Sequence, residues 1–217
     1  MKSVVHCKTL IPSLVVTLAL ACFWLLPKAQ AVVPPPDGGY PGFTTAEGTK
    51  ALFSLTTGSA NTAVGWFSLF SNAAGSFNTA TGAGALLFNT ADENTAFGAA
   101  ALLFNTTGTQ NTAVGAAAVL SNTMGSDNTA VGEVALSSNF HGNENTANGF
   151  QALAQNTDGA FNVAVGTGAL SHNTIGESNI AVGAAAGQDQ DIGSGNVYIG
   201  AGVVGIAGEN NHLYRQC

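Results

Sequence analysis

Short β-branched runs and small apolar residues alternate along this chain with asparagine and glycine at fixed intervals. The phrase Asn111-Thr112-Ala113-Val114-Gly115 is rewritten from Asn61, Asn78, Asn94, Asn128, Asn145, Asn162, Asn179 and Asn196, with a weaker copy from Thr44. From Thr44 onward the spacings are 17, 17, 16, and then 17 six times. A period this steady predicts a stacked array, because each unit is too small to bury its own apolar side and needs a neighbour.

Aligned with one another, the copies read Asn-Thr-Ala-Val-Gly-x-x-Ala-Leu-x-x-Asn-Thr-x-Gly-x-x, here numbered places 1 to 17. Place 5 is glycine in every copy, from Gly48 through Gly65, Gly115 and Gly132 to Gly200. Place 3 is alanine (Ala63, Ala113, Ala130 and the rest) except at Tyr198. Place 2 is threonine from Thr45 to Thr146, then Val163, Ile180 and Val197, while place 4 accepts Glu47, Thr81 and Asn148 in place of valine. Places 1–5 therefore predict a β-strand, whose period of two separates Asn, Ala and Gly from Thr and Val. The Ala/Gly side is the packed one, and the side that admits Glu47 and Asn148 meets solvent or a partner. In register, the asparagines of place 1 (Asn61, Asn111, Asn128) would form an amide ladder along the axis.

Places 5, 8, 9 and 12 fall at i, i+3, i+4 and i+7, one face of a helix. Runs such as Ala99-Ala100-Ala101-Leu102-Leu103-Phe104 are good helix formers with asparagine and glycine after them. A second strand is the rival, but it would send adjacent Ala and Leu to opposite faces. The recurrent glycine at place 15 fits a corner needing positive φ. The 16-residue copy, Asn78 to Glu93, lacks it, so its deletion falls in the corner. The expected fold is a repeat solenoid of ten stacked coils of about 17 residues, each a short parallel β-strand plus a short helical turn. The alternative is an all-β left-handed parallel β-roll. Ten strands about 4.8 Å apart give a rod of roughly 45 Å.

The ends differ from the array. Residues 1–31 read as a signal peptide: Lys2 and Lys8 open it, Leu10 to Leu26 is almost wholly apolar, and Ala29-Gln30-Ala31 fits small-x-small cleavage. A membrane anchor and a lipid anchor at Cys22 are the rival readings. Residues 32–43 form a Pro/Gly-rich lead-in, with Tyr40 and Phe43 as candidates to cover the first coil. The solenoid spans 44–212, and 213–217 is a tail without repeat character or cap.

Composition sharpens the picture. Only 8% of the residues are charged and 28 are glycine, which suits a narrow interior of small side chains. Cleavage after residue 31 removes three of the five basic residues and leaves Lys50 and Arg215 against twelve acidic ones, a net charge near −10. Such a balance disfavours nucleic acid and anionic membrane surfaces. It also leaves Cys217 as the one cysteine, so no disulfide staples the array. No membrane span is expected to remain after cleavage.

Candidate chemistry is sparse. His141, His172 and His212 have no metal-ligand spacing, and the close carboxylates Asp189/Asp191 and Asp92/Glu93 read as solvated turn residues. A calcium role for Asp127, Asp189 or Asp191 lacks the acidic residue in every turn that calcium-binding rolls use. Neither a catalytic residue, a metal site nor a cofactor is expected. The threonine column, Thr45 to Thr146, has the layout of an ice-binding row but is broken from Val163 onward. Recognition is instead expected at variable outward places, notably Trp66, Phe67, Phe150 and Gln151.

The Asn-Thr-Ala-Val-Gly phrase at 17-residue spacing resembles the head repeats of trimeric autotransporter adhesins. It is more similar still to the Asn-Thr-Ala-x-Gly arrays that precede the tail-fibre chaperone domain in bacterial surface and phage fibre proteins. The resemblance covers about 44–212. It implies an exported, elongated, often homotrimeric structural or adhesive module, secreted or on the cell surface, with an unidentified surface receptor or matrix as partner. In such proteins a translocator barrel, coiled-coil stalk or self-cleaving chaperone domain normally follows. None is read before Cys217, which makes a shortened product the expectation.

Overall fold

The computed structural model describes residues 42–216. The signal peptide, Tyr40 and most of the lead-in lie outside the described residues. Eleven three-residue strands form a single parallel sheet in sequence order: β1 (Thr45–Glu47), β2 (Thr62–Val64), β3 (Thr79–Thr81), β4 (Thr95–Phe97), β5 (Thr112–Val114), β6 (Thr129–Val131), β7 (Thr146–Asn148), β8 (Val163–Val165), β9 (Ile180–Val182), β10 (Val197–Ile199) and β11 (Leu213–Arg215). Every neighbouring pair is in the register the repeat dictates, as in Ala113 opposite Ala130. The fold is a parallel β-solenoid with about 17 residues to each coil.

The interior is one side chain thick. It holds Asn at place 1, Ala at 3, Ala and Leu at 8 and 9, Asn at 12 and Gly at 15, all buried in most coils. Ala63, Ala113 and Ala130 are completely covered. Place 5 is glycine for two reasons visible at Gly115. Its φ is 135°, and a Cβ there would stand 2.5 Å from the carbonyl oxygen of Gly132 in the next coil. Gly65 and Gly132 repeat both constraints.

The helical turn expected after the strand is absent, and no helix occurs among the described residues. Within each coil only i to i−3 turns close, such as Ala101 N–H to the Gly98 carbonyl at 3.4 Å and Asn105 N–H to the Leu102 carbonyl at 3.2 Å. Other amides reach the neighbouring coils: Leu102 N–H donates to the Ala118 carbonyl at 3.0 Å and Ala100 N–H to the Ala83 carbonyl at 2.9 Å. Left-handed backbone at places 7 and 9 makes this path, with Ala100 at φ 57° and Leu102 at φ 52°. It turns adjacent Ala and Leu to the same inner side, which a strand would not do.

Two amide ladders run through this interior, one at place 1 from Asn61 to Asn196 and one at place 12 from Asn89 to Asn173. At place 1, the Asn128 amide NH2 donates to Asn111 Oδ1 at 3.0 Å and to the Gly142 carbonyl at 2.9 Å. Its own Oδ1 accepts from the Asn145 backbone N–H at 3.0 Å and side-chain NH2 at 3.1 Å. All of its hydrogen-bonding capacity is used. The second ladder, at place 12, was read from sequence as a helix face: Asn139 donates to Asn122 Oδ1 at 2.7 Å and to the same Gly142 carbonyl at 2.9 Å. Glycine at place 15 does not have positive φ, contrary to expectation. It is required by space, since a Cβ on Gly125 would lie 2.4 Å from the Gly142 oxygen and 2.5 Å from both Asn122 Oδ1 and Asn139 Nδ2.

Both ends depart from the consensus. Phe43 is 95% exposed and covers nothing. Residues 213–215, read as a tail, extend the sheet by one strand that pairs with β10, and His212 N–H donates to Asn196 Oδ1 at 3.0 Å. The core there is exchanged across the coil. Tyr198 replaces the place-3 alanine and is fully buried, while Gly187 replaces the place-9 leucine, where a Cβ would lie 2.7 Å from the Tyr198 ring. Tyr198 donates to Gln190 Oε1 at 2.9 Å and stacks on Tyr214, centroids 5.1 Å apart. Burial, with Tyr214 and Glu209 nearby, pushes the Tyr198 phenol up to about 12.

Two outcomes test this packing. Gly125→Ala is expected to destabilise by about 3 kcal/mol through overpacking. Met124→Ala, at the exposed neighbouring place, should be near neutral. Equal urea midpoints for the two would refute the steric account. Tyr198→Ala should cost about 3–5 kcal/mol, and adding Gly187→Leu should restore at least about 1 kcal/mol by refilling the space from the opposite wall. A double-mutant cycle on unfolding free energies reads this coupling.

Candidate functional site

With the interior fully occupied, chemistry must come from outward places, and two surfaces stand out. The first is the strand face. Thr112, Thr129 and Thr146 occupy place 2 of consecutive strands in direct register. Beside them at place 4 stand Val114, Val131 and Asn148. Phe97, 59% exposed, is the bulkiest side chain on this face.

The second surface is aromatic and lies on the return side of the coils. Trp66 and Phe67, both singled out in the sequence, meet with centroids 4.4 Å apart. Phe67 continues to Phe70 at 4.7 Å, and Phe70 stacks on Phe53 at 5.4 Å. Lys50 Nζ lies 5.2 Å from the Phe67 centroid and 5.5 Å from that of Phe53, within cation–π range. Phe53, Phe70 and Lys50 were missed in the sequence reading. Their signal was positional, since Phe53 and Phe70 fill place 10 of adjacent coils. Phe150 and Gln151 are outward as expected, but they sit on the coil of β7, five strand spacings or about 24 Å from Trp66 and Phe67. The structure does not bring the two pairs together.

Further along, Phe88 and Phe104 occupy place 11 of adjacent coils and stack with centroids 5.6 Å apart at 6°. The same place in the next coil is Ser121. The column drops from ring to hydroxyl there, and Phe140 closes the far side from place 13. The result is an open hollow of 640 Å³ lined by Phe88, Phe104, Thr106, Ser121, Thr123 and Phe140. The threonines are anchored: Thr106 Oγ1 donates to the Thr123 carbonyl at 2.7 Å and Thr123 Oγ1 to the Phe140 carbonyl at 3.0 Å. A few fixed hydroxyls beside apolar walls are the usual composition of a ligand-binding hollow.

The titratable candidates are dispersed. His141 Nδ1 and Asp158 Oδ1 meet at 2.7 Å across adjacent coils at an exposed corner. The His141 hydrogen bond, followed by one from the Thr157 hydroxyl, holds the Asp158 carboxyl below its ordinary value. His212 lies 3.7 Å from Glu209. His172 and Asp189 are exposed. Asp191 Oδ1 accepts from the Ile192 N–H at 2.7 Å, and Asp92 Oδ1 from the Ser76 N–H at 2.7 Å. No three His, Cys, Asp or Glu gather as a metal-holding group among the described residues. Comparison with protein-family models, with curated proteins and with solved structures returned no match.

The Asp158 geometry carries a pH prediction. A carboxyl lowered in the folded state contributes stability above its unfolded value and loses it as pH falls through the folded one, below 3.8. His141→Ala should return the Asp158 titration toward 3.8 in a carboxyl-detected NMR titration. The accompanying change in global stability should stay within about 1 kcal/mol, as for other exposed pairs.

Proposed function

We propose that this chain is an exported, non-enzymatic structural or adhesive module of a cell surface or fibre, whose partner is a surface receptor or matrix. The observation that carries the reading is the aromatic flank. Trp66 is 59% exposed, and Phe88, Phe104, Phe140 and Phe150 are each 42–44% exposed, yet several are aligned in rows by the coil repeat. Rings held open to solvent in a fixed array suit recognition of an extended partner better than they suit solubility. Rigidity favours the same use, since a scaffold already ordered by two amide ladders loses little entropy on binding. The lysine-flanked apolar start of the chain supports export.

The test is adhesion. Beads coated with the chain are expected to bind a surface polysaccharide such as chitin or a collagen matrix. Binding should fall at least about fivefold when Trp66, Phe67 and Phe150 are changed to alanine, with circular dichroism unchanged. Unaltered binding by that variant would sink the aromatic reading.

A second reading rests on the seven threonines of place 2, Thr45 to Thr146, in register at strand spacing. That row suits ice or another flat lattice. Thr112→Tyr with Thr129→Tyr should abolish thermal hysteresis if it acts so, and absence of hysteresis in the parent chain would dismiss it.

A further inference from the structure

The strand face has a charge layout of its own. Down place 4, charge occurs only at the two extremes, Glu47 on β1 and Arg215 on β11, and all the side chains between are neutral. The face is also divided along its length. Place 2 is threonine from β1 to β7 and aliphatic from Val163 on β8 to Leu213 on β11. Exposure persists across it, with Val131 at 40%, Val182 at 44% and Ile199 at 50%.

We infer that this face docks a second copy of the chain about a two-fold axis that runs parallel to the strands, between the two faces and level with β6. Rotation about that axis keeps strand direction and reverses strand order. β1 then lies over the partner's β11, β3 over its β9, and β6 over itself. Because direction is kept, place 4 faces place 4. Glu47 meets the partner's Arg215, and the partner's Glu47 meets Arg215. The threonines of β1–β4 cover the aliphatic places of the partner's β8–β11, those of β5–β7 meet threonines of the partner, and Phe97 on β4 falls over the partner's Val165 on β8. The other face-to-face arrangement, with the axis along the stack, places like charge at each end, Glu47 beside Glu47 and Arg215 beside Arg215. Charge therefore selects the first.

Size agrees with a real but modest interface. Eleven strands at about 4.8 Å by three residues at about 3.3 Å give a face of roughly 500 Å². Two such faces approach the roughly 1,000 Å² at which specific association begins. A dimer that dissociates on dilution is the consequence.

Sedimentation velocity of the full chain at low ionic strength tests the arrangement. The expected parent species has twice the chain mass. Val131→Glu sets like charges together at the axis and should leave a monomer at the same concentration. Its fold is protected because outward place 4 already accepts Glu47 and Asn148. Glu47→Arg or Arg215→Glu alone should weaken the dimer about tenfold, and the two together should restore it. A parent chain that is monomeric overturns the inference. So does a trimer, a dimer indifferent to Val131→Glu, or a failure of the charge exchange to rescue. Bead adhesion through Trp66, Phe67 and Phe150 uses the other surface, so its failure and the failure of this pairing are separable.

Discussion

The structure depends on how a buried carbonyl at each corner finds its donors. At place 15 the chain turns with its carbonyl directed inward, where an unpaired acceptor would cost about 1–3 kcal/mol. Two asparagines from opposite walls of the coil converge on it, as Asn128 and Asn139 do on Gly142. Each then has one N–H left, which goes to the coil before, and an Oδ1 that receives from the coil after. A single coil cannot satisfy this scheme by itself. Stacking is therefore enforced by polar groups as much as by the thin apolar strip of Ala and Leu. Place 15 stays glycine because both amides and the next carbonyl already fill the space a Cβ would need.

The coil that breaks the period shows what the scheme requires. The 16-residue copy keeps its strand, and Ala91 supplies the corner carbonyl that Asn78 and Asn89 both reach at 2.8 Å. One rung is lost nevertheless: Asn72 Oδ1 is buried with no hydrogen-bond partner. Losing a residue at the corner is tolerated by the strand ladder and felt in the amide ladder, because the strand's register is set upstream of the deletion. The ladders are also directional, with donors always facing the preceding coil, so the two ends of the stack are chemically different. At the later end, Gln190 and the Tyr198–Tyr214 stack replace Asn and Ala.

Comparison of the copies within one chain revealed whatever side-chain identity reports directly. The place of Gly115 is glycine in all ten copies and that of Ala113 is alanine in all but one, because both are packed inside the stack, and Asn111 recurs because an amide of that length completes a rung. The stack, its period, its strands and the first ladder were legible on those grounds. The return half was not, because Leu102 at φ 52° and Ala100 at φ 57° carry no mark of left-handed backbone in their residue type. Their i, i+3, i+4 spacing imitates a helix only because two turns of i to i−3 type occupy the same stretch. The corner glycine misled in the opposite direction, since its usual association with positive φ hid a purely spatial requirement. Strand β11 was overlooked because Tyr214 stands where the repeat has alanine, and its partner Tyr198 had already made the same exchange. At the aromatic flank, Trp66 and Phe67 were legible as large rings side by side at variable places, while Phe53 and Phe70 were not, for they meet only across adjacent coils.

That difference follows from congruent coils. A given place recurs every strand spacing up the axis, so a surface feature is composed down a column and not along the chain. Phe88 above Phe104 makes a row of rings, and the change to Ser121 at the same place opens the hollow beside it. Glu47 and Arg215 are separated by almost the whole described chain, yet they are the two ends of one column on one face. Most interior places are tied into the ladders or packed against the next coil, whereas an outward column can change while the stack beneath it stays the same. An aromatic flank and a neutral strand face with charged ends can therefore coexist on a coil about 17 residues around, because neither makes demands on the core that supports the other.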